Sequence, residues 1–97
     1  MAIALVYGLS CAPGRSEELR GALEALAAAL SKIDGLQSVS VLRDVEQPDD
    51  FVFVEKWASV QAQERGGTSL PEQALARVMA ALAAKPTRRL FEYVLEA

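Results

Sequence analysis

The stretch "DVEQPDDFVFVEKWAS", residues 44–59, decides how this chain is read. Phe51, Phe53, Glu55 and Trp57 fall at every second position, with Val52, Val54 and Lys56 between them. Successive side chains of a strand point to opposite faces, so this strand is apolar on both. One face also carries a glutamate beside the only tryptophan of the chain. Both faces need cover, and the Glu–Trp pair is either chemistry or packing.

Upstream, "LQSVSVLRD" (36–44) has strand character, and "VEQPD" with Pro48 is a short connection. Two strands joined this closely pair as a hairpin. With Asp44 opposite Asp50, Arg43 faces Phe51, Val41 faces Phe53, Val39 faces Glu55 and Gln37 faces Trp57. Residues 2–10, "AIALVYGLS", predict a first strand with Ile3, Leu5, Tyr7 and Leu9 on one face. "CAPGRS" breaks it with Pro13 and Gly14. From Ser16 the period changes: Leu19, Leu23, Leu26, Leu30 and Ile33 mark an amphipathic helix that Gly35 stops. After the hairpin, Ser59 caps a short helix "VQAQER", ended by "GG" at 66–67. Ser69 and Glu72 form a capping-box pattern for a second main helix reaching about residue 84. Its buried stripe is Leu75, Val78, Met79 and Leu82. "RRLFEYVLE" (88–96) is the last strand.

The order β-α-β-β-α-β predicts an α+β, ferredoxin-like domain over residues 1–97, a four-stranded antiparallel sheet with two main helices on one face. Two helices cover one face only. Placing Leu42, Val52 and Val54 under them leaves Val39, Val41, Phe51, Phe53 and Trp57 on the other. Each such side chain left in water forfeits roughly 1.5–3 kcal/mol. The expectation is a homodimer that packs two sheets face to face.

Composition narrows the chemistry. The net charge is −3 and the arginines are scattered, which argues against nucleic acid as a partner. There is no histidine and one cysteine, Cys11, so neither a histidine-based triad nor a thiolate or imidazole metal site is available. No carboxylates have calcium-loop spacing. The opening "MAIALVYGLSCAPG" lacks the basic n-region of a signal peptide and reads as a strand. No run approaches the length of a membrane span, so no membrane is expected and a cytoplasmic location is.

The central segment resembles the antibiotic-biosynthesis-monooxygenase-like proteins of the dimeric α/β-barrel superfamily. The residues that carry the resemblance are Gly35, Arg43–Asp44, Pro48–Asp49, Phe51, Glu55 and Trp57, with "PGR" at 13–15 upstream. The resemblance implies a dimeric α/β barrel with a cavity between sheet and helices in each subunit. It also implies, for some members, oxygenation of anthrones or hydroquinones by molecular oxygen with no cofactor. A pocket that stabilises the substrate anion and excludes water promotes that reaction. Two positions depart from the family. Oxygenating members tend to carry asparagine four residues before the tryptophan, where this chain has Phe53. Many carry histidine about nine residues after it, where this chain has Gly66. Haem-degrading members need histidine and asparagine, and the chain contains neither.

The candidate site follows. Glu55 is the acid/base group, with burial raising its pKa; its alternative is a carboxylate paired with Arg88 or Arg89 of the partner subunit. Trp57, Phe53, Tyr7 and Tyr93 are the substrate-binding residues. The alternative for Trp57 is packing in the sheet–sheet core. For the tyrosines it is packing with the hydroxyl at the rim. Arg43 stabilises an anion or is solvated. Cys11 is reactive only beside a cation or helix N-terminus. "RGGTS" (65–69) reads as a hinge. The function expected is a cofactor-independent monooxygenase-like enzyme for a small aromatic or quinol, with no metal. The alternative is a non-catalytic dimeric module for a small hydrophobic ligand.

Overall fold

The computed structural model describes residues 1–97. In chain order the elements are β1 (Ile3–Ser10), α1 (Ser16–Leu30), β2 (Leu36–Arg43), β3 (Asp50–Trp57), α2 (Val60–Gly67), α3 (Glu72–Ala80) and β4 (Thr87–Glu92). All pairings are antiparallel, in the order β2-β3-β1-β4. This is the ferredoxin-like α+β fold. The sheet is not closed into a barrel; β2 and β4 are its edges.

The hairpin register is the one expected over most of its length. Arg43 faces Phe51, Val41 faces Phe53 and Val39 faces Glu55. A bulge between Leu36 and Ser38 then puts Leu36, not Gln37, opposite Trp57. The faces are the reverse of those expected. Phe51, Phe53, Glu55 and Trp57 are buried beneath the helices, while Val52 is exposed and Val54 and Lys56 are half-buried. The cause lies in β1, which pairs Ile3 with Trp57, Leu5 with Glu55, Tyr7 with Phe53 and Leu9 with Phe51. Two strands' large apolar residues thus share one face, and α1 covers it with Leu19, Leu23, Leu26 and Leu30. The open face receives Ala4, Val6 and Gly8 from β1, with Leu42, Val52, Val54 and Phe91 from the other strands.

Several boundaries differ from the pattern of the sequence. Helix α3 stops at Ala80 because the next residues bond to the end of β1: Ala12 N–H donates to the Ala81 carbonyl and Ala83 N–H to that of Ser10. Strand β4 stops at Glu92 because that residue pairs with Ile3, where β1 begins. Ser69 does not cap α3, whose N-cap is Pro71 with no side-chain bond. Ser59 does cap α2, accepting from Ala62 N–H at 3.1 Å. Helix α2 continues through Gly67, so "RGGTS" begins as helix and not as a hinge.

Candidate active site

Between the inner sheet face and the helices lies a cavity of about 160 Å³. Its floor is Tyr7 and Leu9 of β1 with Phe53 and Glu55 of β3. Leu23 and Leu26 of α1 form one wall; Leu75, Val78 and Met79 of α3, with Leu70 and Pro86, form the other. Leu75 and Met79, expected in a buried stripe, are 41% and 52% exposed and stand at the mouth. Among the lining side chains the polar groups are the Glu55 carboxyl and the Tyr7 hydroxyl. The cavity therefore holds one carboxyl group and one phenol in an otherwise apolar space.

Glu55 is 4% exposed. Its Oε1 accepts a hydrogen bond from Trp57 Nε1–H at 2.8 Å. The two residues are neighbours on one face because a strand repeats every second position. Burial pushes the Glu55 carboxyl above the ordinary glutamate value, because the charged form is poorly solvated there. The indole N–H and the charge of Arg88 oppose that shift without cancelling it. Arg88 lies on the same face, across from Tyr7, and forms no ion pair with Glu55. Within the chain, the partner of the Glu55 carboxyl is the indole of the same strand. A buried carboxyl with a raised pKa and one fixed donor is suited to accept and return a proton.

Trp57 is fully buried and does not line the cavity. Its ring sits in a socket that Gly66 makes possible, and Gly35 lets the chain pass close to Ala62 beside it. A β-carbon at Gly66 would come within 2.5 Å of Trp57 Cη2 and 2.8 Å of Ile33 Cγ2. At Gly35, φ is +91° and a β-carbon would come within 2.7 Å of Ala62 Cβ, so both conformation and space require glycine. The position where many relatives are expected to hold histidine thus serves here as the seat of the indole.

The remaining expected residues separate. Tyr7 and Phe53 are cross-strand partners on the cavity floor. Tyr93 lies past the end of β4, its ring 4.6 Å from Lys56 Nζ, and is not among the lining residues. Arg43 sits over the Phe51 ring and contacts Glu17 at 3.3 Å, away from the cavity. Cys11 is buried, and burial together with Asp49 pushes its thiol pKa up, opposite to activation. No group of three or more Asp, Glu, Cys or His side chains is placed to hold a metal ion. The sequence reading missed the walls from α1, α3 and the 68–71 connection. The leucine stripe of α1 was a signal for one of them; Leu70 and Pro86 gave none.

A two-layer, split β-α-β fold with an apolar cavity between its layers and an ionisable group on the sheet floor defines the class. Within it, the chain belongs to the antibiotic biosynthesis monooxygenase family, whose model matches residues 2–65. No curated protein matches the sequence. Among solved structures it is similar to Rv0793 from Mycobacterium tuberculosis, at 19% identity and a TM-score of 0.86 over 100% of this chain and 99% of that one. SnoaB, a cofactor-independent oxygenase from Streptomyces nogalater, is 16% identical with a TM-score of 0.85 over 98% and 95% of the two chains. A conserved protein from Methanosarcina mazei Go1 is 15% identical with a TM-score of 0.84 over 94% and 91%. At these identities the likeness concerns the fold.

Proposed function

We propose that the chain is a cofactor-independent monooxygenase acting on a small hydroxyaromatic or quinol bound in the cavity. The observation that carries this reading is the single buried carboxyl of Glu55, with raised pKa, in a space otherwise lined by apolar groups and Tyr7. Family membership supports the reaction class. Glu55 takes the hydroxyl proton, and Tyr7 donates a hydrogen bond to the aryloxide so formed. The exclusion of water raises the energy of that anion and favours electron transfer to molecular oxygen. A hydroquinone supplies all the electrons: one oxygen atom enters the ring, the other leaves as water, and the product is a hydroxyquinone. Trp57 acts through Glu55 by holding its carboxyl.

The functional unit in this reading is a homodimer joined through the open sheet face, supported by Leu42, Val52 and Phe91, which are 51%, 37% and 39% exposed there. Its face residues are not those first expected, since Phe51, Phe53 and Trp57 are consumed by the core of the chain itself.

Oxygen uptake with a hydroquinone panel tests the reading. Glu55→Gln keeps an acceptor for the indole but cannot take a proton. It is expected to lose activity by roughly 10²-fold or more, the usual contribution of a general base. Tyr7→Phe should lose less. Uptake unchanged by Glu55→Gln removes the assignment of Glu55. The second reading, a dimeric module that binds a small apolar ligand without turnover, is favoured by Phe53, which puts a hydrocarbon ring on the cavity floor. Ligand binding without oxygen uptake by any quinol selects it.

A further inference from the structure

We infer that the cavity admits a one-ring hydroxyarene and rejects fused-ring ones, and that Phe53 is the residue that sets this limit. The inference rests on the cavity being the ligand site, and adds a substrate size to that reading. A volume of about 160 Å³ is close to the roughly 150 Å³ of an apolar cavity that holds one benzene molecule. Ligand sites for larger molecules are commonly about 300 Å³ or more.

The limit is set by rigid walls. Phe53 is 1% exposed and is held by Tyr7 on one side and Val41 on the other through the pairing of β3 with β1 and β2. Leu9, Leu23 and Leu26, which face the same space, are buried as well. Packed side chains of this kind yield only at a cost, because extra volume forces them off their rotamers. The side able to give way is the mouth at Leu75 and Met79 with the half-buried Leu70 and Pro86 in the same wall, and yielding there places a second ring in solvent. A hydroxyl that reaches Glu55 at the floor therefore leaves room for one ring beneath the mouth. The Phe53 ring stands beside Glu55 on the same strand face and occupies the space a second fused ring would take.

The test is calorimetric titration under nitrogen with phenol, 1-naphthol and 2-anthrol, which bind without being turned over. Wild type should saturate with phenol at one site per chain, bind 1-naphthol roughly tenfold more weakly or worse, and not bind 2-anthrol measurably. Phe53→Ala should reverse the order of phenol and 1-naphthol, and Phe53→Leu should shift their ratio less in the same direction. The wild-type ladder decides even if Phe53→Ala does not fold. Equal binding of phenol and 2-anthrol, no binding of phenol, or a ratio unmoved in both folded variants would overturn the proposal. Phenol binding with no oxygen uptake from hydroquinone leaves the size limit standing and removes the oxygenase reading. Uptake with a three-ring quinol does the opposite.

Discussion

The two faces of one sheet are built to different standards. On the inner face, Phe51, Phe53, Glu55 and Trp57 of β3 are each under 5% exposed, and every one is matched across the ladder by a large residue of β1. On the outer face the same strand offers Val52, Val54 and Lys56, and β1 offers Ala4, Val6 and Gly8. The inner face includes a carboxyl group, yet it is the more completely buried of the two. The difference teaches that hydropathy alone does not choose a face. Size does, because only large side chains fill the space between a sheet and helices about 10 Å away.

The sharpest way to break this comparison is to empty the inner face at its largest residue. Trp57→Ala should cost roughly 3–5 kcal/mol, a large share of the roughly 5–15 kcal/mol that holds a domain folded. Urea denaturation followed by circular dichroism measures it. A loss below about 1 kcal/mol would mean that the indole socket contributes little. Overfilling the same socket is the next effect in size. Gly66→Ala drives a β-carbon against Trp57 and Ile33, and should cost roughly 1–3 kcal/mol, while Gly67→Ala, one residue on, meets only the end of the Gln63 side chain. Equal losses from the two glycines would remove the socket as the reason for Gly66.

Much of the fold was legible in the sequence because two periods alternate cleanly along it. The strand period of residues 50–57, the helical leucines from Leu19 to Leu30 and the Pro48 turn were enough for element order and hairpin register. The choice of face was also legible, though only by pairing β1 with β3. Ile3, Leu5, Tyr7 and Leu9 are on the whole larger than their alternates Ala4, Val6, Gly8 and Ser10, so the face shared with β1's larger residues is the one that fills the space under the helices. The Leu36–Ser38 bulge left no such mark. Of the residues expected at the site, Tyr7, Phe53 and Glu55 line the cavity, and strand alternation is what puts them on one face. Tyr93 belongs with Lys56 instead, because β4 ends where β1 offers no further partner, and that depends on the lengths of two strands far apart in sequence. The role of Gly66 was hidden for a similar reason: a glycine shows what it lacks, not which side chain takes the space.

A smaller effect separates Glu55 from its apolar neighbours. Its pKa in the fold lies above the ordinary value of 4.5, so between those two values the folded chain holds more protons than the unfolded one. Stability from this group is therefore greatest below the ordinary value and declines as pH rises through the raised one. Glu55→Gln has no proton to lose and keeps the acceptor for Trp57. Its stability should track wild type at low pH and exceed it once Glu55 has ionised, as read from urea midpoints across a pH series. Parallel curves at every pH would mean that burial does not govern this carboxyl.

The smallest effect on the chain itself is expected on the outer face, and there it is the more informative for being small. Val52→Lys places an ammonium at a position already 37% exposed, among Leu42, Val54 and Val6, where it reaches water without disturbing the core. The stability of an isolated chain should change by no more than about 0.5 kcal/mol, as for surface substitutions generally. If two sheets meet through this face, the same lysine is carried into an apolar interface, and an unpaired buried charge is costly. Sedimentation velocity should then find wild type as a dimer and Val52→Lys shifted to monomer, with the dilution dependence of the wild-type melting temperature lost in the variant. A wild-type monomer at all concentrations would leave the outer face exposed as it stands. Its lower standard of packing would then be explained by the small residues of β1 alone, which give a second layer little to grip.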